Sequence, residues 1–313
     1  MGVPYRIFIE PTNRCSLRCL QCPVGVGHLD KPKKDMSVNE FRKIIDKFGS
    51  RLMILNLYGL GEPFINDDIF DMIEYAKSKR CIWVSTHTNA QDFDDIKIDR
   101  LLKSGLDSLT VSMDGIDQES YGYYRSGGRF DKVEYFIRKF IKRRKDLGLK
   151  GPELILQCLI MKNNEAKIDI YRNKFSLYGA DKIVFKSMGV WTGDFSSVRG
   201  LLPVDKRYRR YNADNSSLVR RSRRCPDLYS RVFINSAGDI YPCCRDRFQE
   251  FRLGNISKDD FSEFWNSEKI KYLRKTHAIE NGEKTLCSNC DFSDSYDLMV
   301  FGSGVNDVEK NKK

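Results

Sequence analysis

The chain has 313 residues, 41% hydrophobic and 31% charged, an ordinary globular composition large enough for one domain with a smaller companion and a core that needs no disulfides. No apolar run approaches the roughly 20 residues of a membrane span, and residues 1–10 lack the basic and long apolar regions of a secretory signal, so the expectation is a cytoplasmic protein. The net charge of +11 points to an anionic partner or substrate, but no nucleic-acid module accompanies it.

Residues 5–10 are strand-like. SVNEFRKIIDKF follows, with Ser37 and Glu40 spaced as a helix capping box. LMILNLY is a short apolar strand running into glycine. NDDIFDMIEYAKSK opens on Asn66, a candidate N-cap, with acidic residues in its first turn. CIWVST is the next strand. IDRLLKSG closes a helix with Gly105 at the usual glycine stop. LTVSMD is a strand, and FDKVEYFIRKFIKRRKDLG a long amphipathic helix ending at Gly148. The strand LILQCLIM, the helix EAKIDIYRNKFSLYG and the strand KIVFK complete the series.

Strands alternating with helices of this length imply parallel βαβ units. About six of them make a parallel barrel over residues 1–190 rather than a small doubly wound sheet, with function at the carboxyl ends of the strands. The pattern then breaks. Residues 191–224 read as a basic linker, densest in KRYRRYNADNSSLVRRSRRC, which suits a phosphate or an acidic peptide. Residues 225–313 read as a second unit. RVFINSAGDIYPCC forms a hairpin turning at Ser236–Asp239 in sequence, residues 259–279 are helical, CSNC follows, and the last ten residues are a frayed tail.

Eight of the ten cysteines fall in two groups. In a reducing compartment such grouping speaks for metal rather than disulfides. CSLRCLQC sets Cys15, Cys19 and Cys22 on one tight loop after the first strand. Three thiolates suit a cubane iron–sulfur cluster with one iron left open to a substrate or cofactor. Zinc, with His28 as a distant fourth ligand, and plain buried cysteines are the competing readings. A structural zinc site prefers a closed set of four.

YGLGEP at 58–63 follows the second strand, THTNA the third, VSMDG lies on the fourth, and YRSGG comes soon after. In this order, with the three-cysteine loop, the chain resembles the radical S-adenosylmethionine (radical SAM) enzymes over nearly its whole length. The resemblance implies an α/β fold, a partial (β/α)6 TIM barrel. It implies that Cys15, Cys19 and Cys22 hold a [4Fe–4S] cluster whose open iron is chelated by the amino and carboxylate groups of SAM. Gly59 and Gly61 would allow close backbone approach. Glu62 would accept hydrogen bonds from the ammonium of SAM, Ser112 would reach its ribose or carboxylate, Arg125 would pair with the carboxylate, and Met188 would contact adenine. The family usually has an aromatic residue before the third cysteine. Here it is Gln21, which leaves its backbone to meet adenine.

Cys225, Cys243, Cys287 and Cys290 are spaced 18, 44 and 3 residues apart, a set that zinc or a fully ligated [4Fe–4S] cluster would accept. With the hairpin GDIYPCC, the spacing resembles the auxiliary-cluster module called Twitch, a short form of the SPASM domain. That implies one auxiliary [4Fe–4S] cluster in a small C-terminal domain of a β-hairpin plus helices. Cys244 is then spare. It is a small buried residue, a hydrogen-atom donor to a substrate radical, or itself the ligand in place of Cys243. Cys81 and Cys158 read as structural, Cys158 turned toward the helices because Gln157 faces the barrel interior. His87 lines the pocket or belongs to the scaffold.

The resemblance implies hydrogen abstraction by a 5′-deoxyadenosyl radical, with electrons from a donor such as flavodoxin or ferredoxin. The favoured substrate is a small polar molecule, anionic or phosphorylated: a sugar, an aminocyclitol or a nucleotide-linked sugar, oxidised at a hydroxyl-bearing carbon. The first barrel strand comes at the start of the sequence, and the expectation drawn from it is an enzyme without an N-terminal domain for capturing a precursor peptide, which favours the small molecule. The alternatives are an epimerase using Cys244 and a maturase acting on a peptide or protein. A zinc protein binding nucleic acid would leave GLGEP and the cysteine loop unexplained.

Overall fold

The computed structural model describes residues 4–29, 31–191, 196, 198–212, 225–246, 249–259, 261–277, 287, 290 and 297–302. Five βα units and a sixth strand come first: β1 (Arg6–Ile9), α1 (Val38–Phe48), β2 (Ile54–Asn56), α2 (Ile69–Ser78), β3 (Trp83–Thr88), α3 (Asp95–Lys103), β4 (Ser108–Ser112), α4 (Gln118–Tyr124), α5 (Phe130–Asp146), β5 (Glu153–Ile160), α6 (Ile168–Ser176) and β6 (Lys182–Ser187). The predicted capping box at Ser37 and Glu40 forms. Asn66 does not cap α2: Asp68 holds the N-cap position. Asn66 is instead a buried staple, its amide donating to the carbonyls of Pro11 and Met36. The short α4 was not foreseen. It is capped by Asp117 and Ser120 and fits between β4 and the long α5.

β1 to β6 are parallel neighbours in chain order, the wall of a partial TIM barrel. The apolar face of each helix packs on one side of this sheet. On α5, Val133, Phe136, Ile137 and Phe140 recur at helical spacing and are all fully buried. β5 shows the strand period: Leu154, Leu156, Cys158 and Ile160 join the core under the helices, and Gln157 and Leu159 face the lumen. Cys158 therefore lies where alternation put it.

The C-terminal elements are α7 (Asp227–Ser230), β7 (Arg231–Ile234), β8 (Asp239–Tyr241), β9 (Gly254–Asn255), α8 (Phe261–Trp265), α9 (Glu268–Thr276) and β10 (Asp297–Gly302). The predicted hairpin is β7–β8, with Gly238 at φ +80° in its turn and Asn235 Oδ1 accepting from the amides of Ala237 and Asp239. The helix expected over 259–279 is two helices, interrupted where Ser267 caps α9. The hairpin continues the barrel sheet. β7 pairs parallel with β1, and β10 pairs antiparallel with β6 at the opposite edge, giving the order β10-β6-β5-β4-β3-β2-β1-β7-β8-β9. The last ten residues, expected to fray, lie outside the described residues. No described helix is long and apolar enough to cross a membrane.

Candidate active site

β1 runs into the cysteine loop at the carboxyl end of the sheet. The loop is closed at its base by side chains that accept or donate to backbone. Asn13 Nδ2 donates to the carbonyl of Pro32, and Asn13 Oδ1 accepts from the amide of Lys34, each at 2.8 Å. The Arg14 guanidinium forks onto Asp35. The loop is tied to the α4–α5 connection as well, because Arg18 N donates to the carbonyl of Ser126 at 2.9 Å. Cys19 is buried, and Cys15 and Cys22 are half-buried. Burial pushes the Cys15 thiol up to about 12 and also raises that of Cys19. The three sulfurs lie close enough to oppose one another's ionisation. Among the described residues no three His, Cys, Asp or Glu side chains are drawn together as one metal ion would need.

The segment read as a linker supplies part of this site. Val198, Leu201, Leu202 and Tyr211 are buried in one cluster with Leu17, Cys19, Tyr124 and Met188, and Cys15 and Cys22 pack on it. Met188, fully buried just after β6, thus packs beside the cysteine loop. Gln21 is also buried. The basic residues 213–224 lie outside the described residues.

The two glycines of GLGEP are required by the chain itself. A methyl at Gly61 would overlap the carbonyl oxygen of Thr12 and lie 2.7 Å from that of Arg14. One at Gly59 would lie 2.5 Å from Glu10 Oε2. The second-strand loop is thereby pressed against the base of the cysteine loop. Gly61→Ala is expected to cost about 1–3 kcal/mol of stability by overpacking and to lower iron loading, read by thermal unfolding and iron assay. Wild-type values for both would show that the Thr12 and Arg14 carbonyls move aside freely.

That contact delivers Glu62. Its carboxylate is buried and accepts from Thr88 Oγ1 and Asn89 N, both at 2.7 Å. The donors are neutral and no described cation pairs with it, so burial raises Glu62 to about 7. A buried carboxylate without a counter-charge, beside three thiols, fits a ligand that brings an ammonium group. Ser112, at the end of β4, is in register with Gln157 of β5, so both face the lumen. His87 stacks on Tyr58 with ring centroids 4.0 Å apart. Burial, with Lys186 and Arg125 nearby, holds His87 well below its ordinary value, so it is uncharged at neutral pH.

Arg125 already has partners within the chain. It is paired with Asp114, Nε to Oδ2 at 2.5 Å, and its Nη1 donates to Cys19 Sγ at 3.6 Å. Asp114 and Glu10 are site residues that sequence reasoning missed. Each is a lone carboxylate closing an apolar strand, in VSMD and RIFIE, and that oddity was the available signal. Glu10 is fully buried, accepting from Leu60 N at 2.9 Å and from Ser236 N and Oγ in the turn of the hairpin.

In the second group, Cys243 is buried and lies within electrostatic reach of Cys290, and Cys287 within reach of Cys290 and Cys225. The four belong to one neighbourhood. Buried Arg231 lies close to this group and stacks over Phe8 at 5.0 Å. Cys244 packs instead with Tyr58 against Phe8, Phe233 and Tyr241. Phe8 and Phe233 are register partners on the lumen side of β1 and β7, so Cys244 borders the lumen while staying within electrostatic reach of Cys243.

Two family models match: the radical SAM superfamily over residues 9–164 and an iron–sulfur cluster-binding domain, SPASM, over residues 225–291. The tungsten-containing aldehyde ferredoxin oxidoreductase cofactor-modifying protein of Pyrococcus furiosus is 23% identical, with 94% of this chain and 89% of that protein covered. Among solved structures, BtrN in complex with AdoMet and 2-DOIA is 16% identical with TM-score 0.54, covering 92% of this chain and 93% of that one. Streptococcus suis SuiB bound to precursor peptide SuiA is 15% identical with TM-score 0.66, covering 93% and 72%. SAM, its [4Fe–4S] cluster and an auxiliary iron–sulfur cluster are accordingly the cofactors of this chain. The two matches, over a partial barrel with a three-cysteine loop at its mouth and a C-terminal unit with five further cysteines, place the chain in the radical SAM superfamily, with a SPASM-type domain at its C-terminal side.

Proposed function

We propose that Cys15, Cys19 and Cys22 hold the SAM-binding cluster, that Cys225, Cys243, Cys287 and Cys290 hold the auxiliary [4Fe–4S] cluster, and that the enzyme oxidises a hydroxyl-bearing carbon of a small polar substrate. A sugar, an aminocyclitol or a nucleotide-linked sugar fits. Bound there, SAM and its cluster would supply radical chemistry for hydrogen abstraction, and the auxiliary cluster would supply an electron acceptor. A carrier such as flavodoxin or ferredoxin would be the electron donor.

The observation that carries this reading is the parallel pairing of β7 with β1. It extends the barrel sheet into the hairpin, so that Cys244, the chain neighbour of Cys243, packs on Phe8 at the lumen face of the strand that leads into the cysteine loop. Glu62 would hold the ammonium of SAM, Ser112 its ribose or carboxylate, and Met188 with the backbone of Gln21 its adenine. His87, uncharged, can accept a hydrogen bond from a substrate hydroxyl, with the Tyr58 ring fixing its plane. The likeness to BtrN extends over nearly the full length of both chains and supports a small molecule. The likeness to SuiB supports a peptide.

Epimerisation is the second reading, and the packing of Cys244 against Tyr58 and Phe8 favours it. The two differ in heavy water. Oxidation is expected to give a product two electrons more oxidised, with no solvent deuterium at the reacting carbon, and Cys244→Ala should keep both clusters and most activity. A redox-neutral product carrying one deuterium, lost in Cys244→Ala while deoxyadenosine still forms, would make Cys244 the hydrogen donor and replace the oxidation reading.

A further inference from the structure

The environment of the three loop thiols is uneven. Cys15 Sγ receives neutral donors, the amide of Leu17 at 3.5 Å and Asn89 Nδ2 at 3.7 Å. Cys19 Sγ receives a guanidinium N–H from Arg125 at 3.6 Å. That guanidinium is held in place from behind. Asp114 is fully buried, takes Arg125 Nε on one oxygen, and takes the amide of Leu159 on the other at 2.7 Å. The charge lies over the Tyr124 ring at 5.3 Å, in a site whose other walls are Leu17, Met161 and Met188. Low polarity there enlarges the effect of a fixed charge. Arg125 cannot be swung away without leaving Asp114 buried and unpaired, a costly state.

We propose that Arg125, braced by Asp114, is a positioning residue that sets the reduction potential of the loop cluster by presenting a charged N–H to the Cys19 sulfur. This rests on the assignment of that cluster to Cys15, Cys19 and Cys22. Reduction adds one negative charge to a group already bearing thiolates. A cation donating to one of those sulfurs stabilises the reduced form more than the oxidised form, so it raises the potential. Asp114 offsets part of the charge but lies behind the guanidinium, so the positive end of the pair faces the sulfur. The role is separate from gripping the carboxylate of SAM, because it acts before SAM arrives.

The test is a potentiometric titration of the reconstituted full chain without SAM, following the reduced-cluster resonance that disappears in the triple alanine variant of Cys15, Cys19 and Cys22. Arg125→Leu is expected to disfavour reduction at least about tenfold, a fall of about 59 mV for a one-electron couple. The auxiliary-cluster potential should stay in place as an internal reference. Arg125→Lys should recover part of the shift. If Arg125→Leu fails to load iron at the loop, Arg125→Gln, which keeps an N–H but no charge, carries the same measurement. An unchanged SAM-free potential in a loaded variant, with SAM affinity reduced, would overturn the proposal and return Arg125 to the SAM carboxylate. If the followed resonance survived in the triple variant, the ligand assignment would fail instead, a different and recognisable result.

Discussion

Replacing Cys15, Cys19 and Cys22 together by alanine is expected to lower the iron of anaerobically reconstituted protein from about eight per chain to about four, with sulfide falling in step. Production of 5′-deoxyadenosine from SAM should cease. The remaining iron should belong to the second thiol group, because Cys225, Cys243, Cys287 and Cys290 share a neighbourhood of their own. The variant should still fold. The loop is fastened by Asn13, Arg14 and Asp35 independently of the thiols. Full iron content in the triple variant would refute the ligand assignment. Zinc without sulfide in the wild type would refute the cluster itself.

The second large effect concerns Glu62. In Glu62→Ala the charge-assisted contact with the ammonium of SAM is lost, expected to cost about 1.5–3 kcal/mol, roughly 10- to 150-fold in affinity. The same carboxylate predicts a pH dependence. Its folded value, about 7, lies above the ordinary value of 4.5 because burial opposes its charge. The folded chain therefore keeps a proton that the unfolded chain has released, and the stability it contributes is present below pH 4.5. It is lost as pH rises through about 7, by about 3 kcal/mol in total. Glu62→Gln should flatten that part of the stability profile in SAM-free protein. SAM, bringing a cation, should bind the wild type more tightly as pH rises through the same window. Equal profiles for wild type and Glu62→Gln, with unchanged SAM affinity, would remove Glu62 from the site.

Local order was legible in the sequence wherever the governing forces were local. The capping box at Ser37, the glycine stop at Gly105 and the inward Gln157 all follow from neighbours a few residues away. The cysteine loop was legible because its chemistry is carried by spacing. The failures share one cause. β7 joins β1 across more than two hundred residues, and β10 finds β6 from the far end of the chain, and neither pairing has a periodicity that names its partner. The 198–211 stretch looked like a linker because its apolar residues are interspersed with charges. Val198, Leu201 and Leu202 are buried there by a surface that other segments build. Asn66 had the right chemistry for a cap, but two distant carbonyls, Pro11 and Met36, recruited its amide. Asp114 and Arg125 were both in view within quoted motifs. Their pairing depended on α4, a helix whose short length hid it.

The pairing of β7 on β1 also bears on how the chain can be divided. β1 is Arg-Ile-Phe-Ile, with Ile7, Phe8 and Ile9 all buried. Its hydrogen-bonding groups are satisfied on one side by β2 and on the other by β7. A barrel cut loose from its C-terminal third would present that strand as a bare apolar margin, with unpaired amides and carbonyls open to any other chain. Such margins invite strand addition and clumping. The hairpin of the SPASM-type domain thus doubles as a cover for that margin of the barrel sheet.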